Sequence, residues 1–284
     1  MRILDFALAG LAAVSLALSA ALPPASDQIA FSSPSYFAND SYTKVPLTLG
    51  VMSRCPDAIL VETLFDRVLE RKTSLSLLGD GAMRREDDAP GTVAGLVDLR
   101  LEYIANKNTS ALYDVTCKHG DIECRGNIQQ LCAADLWRAH SSRTAEAMEE
   151  QKAGEVEVSL KGNQAWEDWW NFVQCLNYGE VSRIGTDDAA SACAKVVGHS
   201  WDARERHCVD GKRGKKLLRK SVKRTRKLEV QKSATVLLND KVICIHDGSW
   251  QSCPGGHEIS DFVRQIENEW KRLNPEKKKH LAEP

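Results

Sequence analysis

The nine cysteines of this 284-residue chain constrain its fold more than any other feature of the sequence. In an oxidising compartment most of them are expected to form disulfides, and an odd count leaves at least one thiol free or bonded to another molecule. Cys55 is the expected odd one, because it stands far ahead of the others in the chain and in a different local context. The remaining eight, expected to form four structural disulfides, are Cys117, Cys124, Cys132, Cys175, Cys193, Cys208, Cys244 and Cys253. Proximity in the sequence suggests the pairs Cys193–Cys208 and Cys244–Cys253, and the other pairings stay open.

The N-terminus indicates the compartment that the chain enters. Residues 6–18 are almost wholly apolar, small residues follow at 19–21, and two prolines then end the helix. This pattern predicts a signal peptide over residues 1–21, since the apolar run is too short to span a membrane; an uncleaved anchor is the alternative. Asn39 and Asn108 begin Asn-X-Ser/Thr sequons and are predicted glycosylation sites, which fits the same route. We therefore expect a secretory destination, with the extracellular space and the lysosome or vacuole both left open.

Charge says little about the whole chain but singles out one segment. The formal net charge of −1 implies no overall attraction to nucleic acid or to an anionic membrane, so neither is an expected partner after signal cleavage. The run Gly211–Leu228, in contrast, carries ten Lys and Arg residues and no acidic residue. Apolar residues at Leu217, Leu218 and Val222 favour a solvated amphipathic helix there, and a heparin-like or nucleic-acid site is the alternative.

The front of the chain alternates strand and helix patterns. The apolar run Val45–Val51 predicts a buried strand, and apolar residues at helical spacing begin directly after Cys55 and Pro56. Proline suits the first helical position, where its missing N–H would have no partner. Val97–Tyr103 alternates apolar and polar residues and predicts a half-buried strand, and Leu112–Thr116 predicts a short one.

The middle and the end of the chain show different patterns. Between about residues 123 and 227 the spacing is mainly helical, with an apolar stripe through Trp166, Trp169, Trp170 and Val173 that favours core packing over a stacking platform for a ligand. Two apolar runs, Thr235–Leu238 and Val242–Ile245, flank a turn pattern and predict a hairpin. An apolar face over residues 259–270 predicts a final helix.

These patterns predict a split α/β domain with an inserted helical subdomain. The expected segments are a signal peptide (1–21), a leader segment (22–43), the first part of the α/β domain (44–122), a helical insertion (123–227), a C-terminal hairpin and helix (228–274) and a tail (275–284).

Cys55 is the candidate reactive residue. A cysteine at the N-terminus of a helix that follows a buried strand lies beside unpaired N–H groups and the positive end of the helix dipole, which stabilise the thiolate. The thiolate is the species that attacks disulfides. The alternative is that Cys55 is half of an ordinary disulfide. Thioredoxin-type sites carry a second cysteine three residues on, and here the motif reads Cys55-Pro56-Asp57-Ala58. A two-thiol cycle within this motif is therefore excluded.

A second cluster lies around residues 117–132. Its fixed residues are Cys117, His119, Gly120, Glu123, Cys124, Asn127 and Cys132. They resemble the signature of the gamma-interferon-inducible lysosomal thiol reductase family, Cys-Gln-His-Gly-x-x-Glu-Cys-x-x-Asn-x-x-x-x-Cys. Every fixed position is present except the glutamine, which is Lys118 here. Three of these cysteines and the histidine could be imagined as zinc ligands, but the spacing matches no common finger and no metal is predicted. Gly120 suits a tight turn, and Glu123 and Asn127 suit capping or bracing of the local helix.

The resemblance covers roughly residues 44–272 and implies a thioredoxin-like fold with an inserted, disulfide-stapled helical subdomain. It also implies reduction of protein disulfides at acidic pH, with Cys55 as the attacking cysteine, disulfide-containing proteins as substrates, and no cofactor except an external thiol. This sequence departs from the family pattern at Ala58 and at Lys232–Thr235, where such folds usually place a cis-proline. The sequence therefore predicts a monothiol thiol–disulfide oxidoreductase, and the alternative is a catalytically silent secreted binding protein on the same scaffold.

Overall fold

The strand that precedes Cys55 lies inside the central sheet, with a neighbouring strand on each side. The computed structural model describes residues 42–76, 91–150 and 164–275, and for 138–150 and 164–166 the backbone alone. The predicted signal peptide, nearly all of the leader segment, Asn39 and most of the tail lie outside these residues.

The elements follow one another in this order: β1 (Val45–Val51), α1 (Pro56–Leu69), α2 (Val93–Leu96), β2 (Val97–Tyr103), β3 (Asn106–Lys107), β4 (Val115–Thr116), α3 (Asp121–Glu150), α4 (Gln164–Tyr178), α5 (Asp187–Val196), α6 (Ala203–Asp210), α7 (Lys212–Lys227), β5 (Thr235–Leu238), β6 (Lys241–His246), β7 (Trp250–Gln251) and α8 (Ile259–Leu273).

The strand order of the main sheet identifies the fold. The order is β2-β1-β5-β6-β7, with β1 and β2 parallel and β5 and β6 antiparallel to their neighbours. Val45 lies opposite Val97 and Val51 opposite Tyr103, so that α1 and the chain after it form the crossover that a parallel pair requires. A β-α-β unit joined to a C-terminal hairpin and helix in this order is a thioredoxin-like fold, as predicted.

The core lies on both faces of β1. Every residue of this strand except Pro46 is buried, which indicates that helices cover the sheet on both sides. Helix α1 packs against α8, with the rings of Phe65 and Phe262 at 4.8 Å, and α7 packs against β2. Trp169, Trp170 and Val173 of α4 are buried, which confirms the core interpretation of that stripe; the side chain of Trp166 lies outside the described residues. No helix in the described ranges is both long and apolar enough to cross a membrane.

Four disulfides join the eight cysteines other than Cys55. They are Cys117–Cys124, Cys132–Cys208, Cys175–Cys193 and Cys244–Cys253. The last is the pair that sequence proximity suggests, but the suggested Cys193–Cys208 pair is wrong. These two cysteines lie on α5 and α6, and α5 packs on α4 whereas α6 packs on α3, so each cysteine meets a partner on a different helix.

Two strand boundaries and one short helix differ from the sequence-based prediction. The strand predicted over Leu112–Thr116 is only the two residues of β4, because a turn from Asn108 to Asp114, with Asp114 at φ 60°, occupies the preceding chain. Strand β6 begins at Lys241 rather than Val242, since Asn239 and Asp240 alone form the turn, with φ of 50° and 61°. These left-handed values suit the two-residue turns that join twisted antiparallel strands. The short helix α2 was not predicted, and the basic run does form the helix α7.

Candidate active site

Cys55 is the N-terminal cap residue of α1, where the chain turns out of β1. Its backbone is extended (φ −86°, ψ 123°), its N–H donates to the Met52 carbonyl at 2.9 Å, and its carbonyl accepts from the Ile59 N–H at 3.1 Å. Pro56 occupies the first helical position. The Cys55 thiol is free, because the other eight cysteines pair among themselves. The residue is only 8% exposed.

Position 58 lies one helical turn after Cys55 and carries no thiol. Ala58 is 1% exposed and packs in the core. Residues three apart on a helix lie on the same face, so a cysteine at 58 would be a neighbour of Cys55. The alanine therefore leaves Cys55 without a resolving thiol on its own helix.

Asp57 ties the start of α1 to the far end of the C-terminal hairpin. Its Oδ1 accepts from His246 Nδ1 at 2.6 Å and from the Gly248 N–H at 3.0 Å. His246 is nearly buried and meets the Trp250 ring edge-on, with centroids 4.9 Å apart. Because a carboxylate only accepts hydrogen bonds, Nδ1 of His246 carries the proton of this contact. The pair fixes the orientation of the motif that contains Cys55.

The loop between β1 and Cys55 is braced by the residue cluster around 117–132. The Ser53 N–H donates to Asn127 Oδ1 at 3.0 Å, and the Ser53 hydroxyl donates to the Glu123 carbonyl at 3.3 Å. The amide of Asn127 also donates to Cys117 Sγ at 3.6 Å. Asn127 therefore joins the active-site loop to the Cys117–Cys124 disulfide, a longer-range role than bracing its own helix.

Two glycines and a buried carboxylate allow the start of α3 to pack closely against the loop between β1 and Cys55. A Cβ on Gly126 would lie 2.8 Å from the Ser53 hydroxyl oxygen, so only glycine lets α3 approach the loop this closely. Gly120 has φ 82° and forms the turn that enters α3. Glu123 is buried, accepts from the His119 N–H at 3.2 Å and contacts His119 Nδ1, so it braces the turn that leads into the helix.

Arg54, next to Cys55, points its charge at a neighbouring turn. Its guanidinium donates to the Val181 carbonyl at 3.2 Å and to the Ser182 carbonyl at 3.0 Å. Arg54 therefore fastens the loop to the 3-10 turn Val181–Arg183.

The chain matches the family model described as gamma interferon inducible lysosomal thiol reductase over residues 46–197. This chain belongs to that family. The match takes in Cys55, its loop and the whole signature cluster. A search of curated proteins gives no match.

Several solved structures of thiol–disulfide oxidoreductases are similar to this chain at low sequence identity. The DsbA oxidoreductase of Xylella fastidiosa is 14% identical, with 82% of this chain and 87% of that chain covered and a TM-score of 0.38. The MdbA oxidoreductase of Corynebacterium diphtheriae is 12% identical, with 81% and 86% covered and a TM-score of 0.42. The NmDsbA1 oxidoreductase of N. meningitidis is 12% identical, with 85% and 91% covered and a TM-score of 0.34. The fold assignment rests on the strand order described above.

The segment before β5 holds the loop after β1 through a side chain. The Ser233 hydroxyl accepts from the Met52 N–H at 3.1 Å, and Ala234 has φ 61°. No peptide bond among the described residues is cis. Ser233 therefore fastens the chain before β5 to the loop that leads to Cys55.

The residues imagined as zinc ligands have other partners. Cys117, Cys124 and Cys132 are all consumed by disulfides, and His119 is occupied by Glu123. Within the described ranges no group of three or more potential ligands is placed to hold a metal ion.

Sequence reasoning missed His246, Ser53 and Ser233. His246 gave one local signal, a histidine that ends the apolar run Val242–Ile245. The two serines gave none, since their partners are distant in sequence.

Proposed function

We propose that this chain is a monothiol thiol–disulfide oxidoreductase in which Cys55 is the attacking thiol. The observation that carries the proposal is a free cysteine at the N-terminus of the helix after β1, in a chain whose eight other cysteines are paired. The first N–H groups of α1 have no partners within the helix, and with the helix dipole they stabilise an anion at this position. The thiolate is the nucleophile of disulfide exchange.

The exchange needs two kinds of thiol. The Cys55 thiolate attacks one sulfur of a substrate disulfide, a Cys55–substrate bond forms, and the other substrate sulfur leaves as a thiolate that takes up a proton. An external thiolate then attacks Cys55 Sγ in this mixed disulfide and releases the first substrate sulfur as a thiol. A second external thiolate attacks the external sulfur now attached to Cys55, which restores the Cys55 thiolate. Two external thiols are thereby oxidised to one disulfide for each substrate disulfide reduced.

The contacts around Cys55 support the proposal, because they hold the backbone that carries the attacking sulfur. Asn127 holds the loop on one side, and the Asp57–His246 pair holds the start of α1 on the other. Both contacts fix the backbone on either side of Cys55. Four disulfides support a site of action in an oxidising compartment, for which we propose the secretory route with the lysosome, vacuole or extracellular space as destination.

Steady-state kinetics test this proposal. Turnover of a disulfide-linked fluorogenic peptide should rise steeply with the concentration of a small thiol such as cysteine, because an external thiol must release the mixed disulfide. Cys55→Ser should abolish turnover while the four disulfides and the melting temperature stay unchanged. Equal turnover in wild type and Cys55→Ser would refute the proposal.

A catalytically silent binding protein is the second candidate. The small exposure of Cys55 and the alanine at position 58 favour it. It predicts no turnover in the same assay at any thiol concentration, with the fold intact.

A further inference from the structure

Helix α7 separates two cavities that do not include any residue of the candidate active site. The larger, of about 640 Å³, lies between α7, the end of β2, α3 and α4. The smaller, of about 490 Å³, lies between α7 and the hairpin of β3 and β4. Lys223 lines both, and we refer to them together as the α7 cavities.

The charges of the α7 cavities do not cancel. Their three carboxylates are each already paired with an arginine of α7: Glu102 with Arg224 at 3.3 Å, Asp114 with Arg219 at 3.1 Å, and Asp135 with Arg213 at 2.6 Å. The side chains of five lining cations make no hydrogen bond and no ion pair with any described residue. They are Lys107, Lys220, Lys223, Arg226 and Lys227. Lys220 also lies within electrostatic reach of Glu102, which Arg224 already pairs. Among the described residues the cavities therefore present uncompensated positive charge, although the chain as a whole has a net charge of −1.

The spacing of these cations suits a linear polyanion. Lys220, Lys223 and Lys227 stand three and four residues apart, so they share one face of α7. The helical rise places the first and last about 10 Å apart along the axis. All three are exposed, whereas Leu218 and Val222 of the same helix are buried, so the helix is anchored and its lysines face solvent.

The lining favours a sulfated sugar chain over a single-stranded nucleic acid. The aromatic residues of the larger cavity, Tyr103 and Trp169, are buried, and no aromatic residue lines the smaller one. Single-stranded nucleic acids need exposed rings on which bases stack. Four of the five uncompensated cations are lysines, which act as point charges, whereas arginine is the usual residue for bidentate contact with phosphate.

We propose that the α7 cavities bind a linear sulfated polysaccharide of the heparin type. Its sulfate groups contact Lys220, Lys223 and Lys227 along α7, and Lys107 and Arg226 extend the contact into the smaller cavity. Binding at this surface would hold the protein at sulfated glycans independently of the reaction at Cys55.

The test compares two triple variants of the full chain. Lys220→Gln/Lys223→Gln/Lys227→Gln removes the cavity lysines. Lys212→Gln/Lys215→Gln/Lys216→Gln removes the same charge from the same helix outside both cavities, and glutamine preserves helix propensity. The probe is a size-defined heparin octasaccharide, and its dissociation constant is measured by calorimetry over a series of salt concentrations. Melting temperature and thiol turnover should be the same in all three proteins.

Wild type should bind the octasaccharide at physiological salt. The cavity variant should bind about a hundredfold more weakly, because each lysine beside an anionic surface contributes about a fivefold factor. The slope of log affinity against log salt should fall by about three. The affinity of the control variant should fall by less than about fivefold. Its lysines lie outside the cavities and act on the octasaccharide only through an electrostatic field that salt screens.

Three results would overturn the proposal: no binding by wild type, equal losses in the two variants, or tighter binding of an oligothymidylate of equal charge than of the octasaccharide. The last result would assign the surface to a nucleic acid instead.

Discussion

A buried carboxyl group on the active-site helix should contribute more stability at acidic than at neutral pH. Glu62 lies on α1 and is almost completely buried, and its Oε2 accepts from Asn177 Nδ2 at 2.6 Å. Burial raises the pKa of Glu62 to about 8, against the opposing effect of the Asn177 hydrogen bond. The other oxygen of Glu62, together with the side-chain oxygens of Asn177 and Gln174, has no hydrogen-bond partner in the described structure. A proton on Glu62 supplies a donor among these acceptors.

The direction of the effect follows from the two protonation states. In the unfolded chain a glutamate has a pKa of about 4.3. The folded state therefore holds the proton more tightly, and the stability that the neutral carboxyl contributes is fully present below pH of about 4.3. It is lost as the pH rises toward 8 and changes no further above that value. At about 1.4 kcal/mol for each pH unit, the loss between pH 5 and pH 7 is about 3 kcal/mol.

The substitution Glu62→Gln tests this effect. Glutamine keeps the volume and an N–H donor but has no proton to lose, so the variant should gain on wild type by about 3 kcal/mol between pH 5 and pH 7. The free energy of unfolding is measured in urea at pH 5, 6, 7 and 8. Other titrating groups affect both proteins equally and cancel in the difference.

Glu70→Gln provides the matched control, because Glu70 is exposed at the end of the same helix. Its difference from wild type gives the baseline for loss of a glutamate from α1. If the difference between Glu62→Gln and wild type is constant from pH 5 to pH 8, Glu62 is not a neutral buried acid and the packing of α1 against α4 needs revision.

Three further substitutions probe the site and its scaffold. Ala58→Cys should raise turnover and weaken its dependence on external thiol, because an intramolecular thiol has a large effective concentration; formation of the new disulfide with no gain in rate would show that the groove is not catalytic. Asn127→Ala leaves a buried backbone N–H without its acceptor and should lower the free energy of unfolding by about 1–3 kcal/mol; an unchanged free energy of unfolding would remove Asn127 as the brace of the loop. Replacing Cys132 and Cys208 by alanine opens a loop of 76 residues and should lower the free energy of unfolding by about 4 kcal/mol. This loss should exceed that of a variant without Cys244–Cys253, which closes a loop of only 9 residues. Equal melting temperatures for the two variants would contradict the stapling of α3 to α6.

The parts of the fold that could be predicted are those determined by local pattern. Strand β1 and helix α1 follow from an apolar run, a proline at the first helical position and helical spacing after it, so the placement of Cys55 at a helix start needed no knowledge of the rest. The N-cap at Thr186 is equally local, because its side chain accepts from the Ala189 N–H three residues later.

What could not be predicted depends on contacts between distant segments. Asn127 stands in the signature, but its partner Ser53 is 74 residues away, and His246 is 189 residues from Asp57. Which helices pack together also decides the pairing of Cys193, and sequence proximity carries no information about that. Local patterns therefore gave the elements and the reactive cysteine, whereas the bracing of that cysteine required the three-dimensional arrangement.

Trapping of the mixed disulfide tests the role of Cys55 most directly. Wild type is mixed with an excess of a disulfide-linked peptide without external thiol, quenched with acid, and analysed by intact mass and by non-reducing peptide mapping. One peptide should be attached, at Cys55, with the four disulfides intact, and Cys55→Ser should carry none. An unmodified Cys55, an intrachain disulfide at Cys55, or a peptide on any other cysteine would contradict the assignment of Cys55 as the attacking thiol.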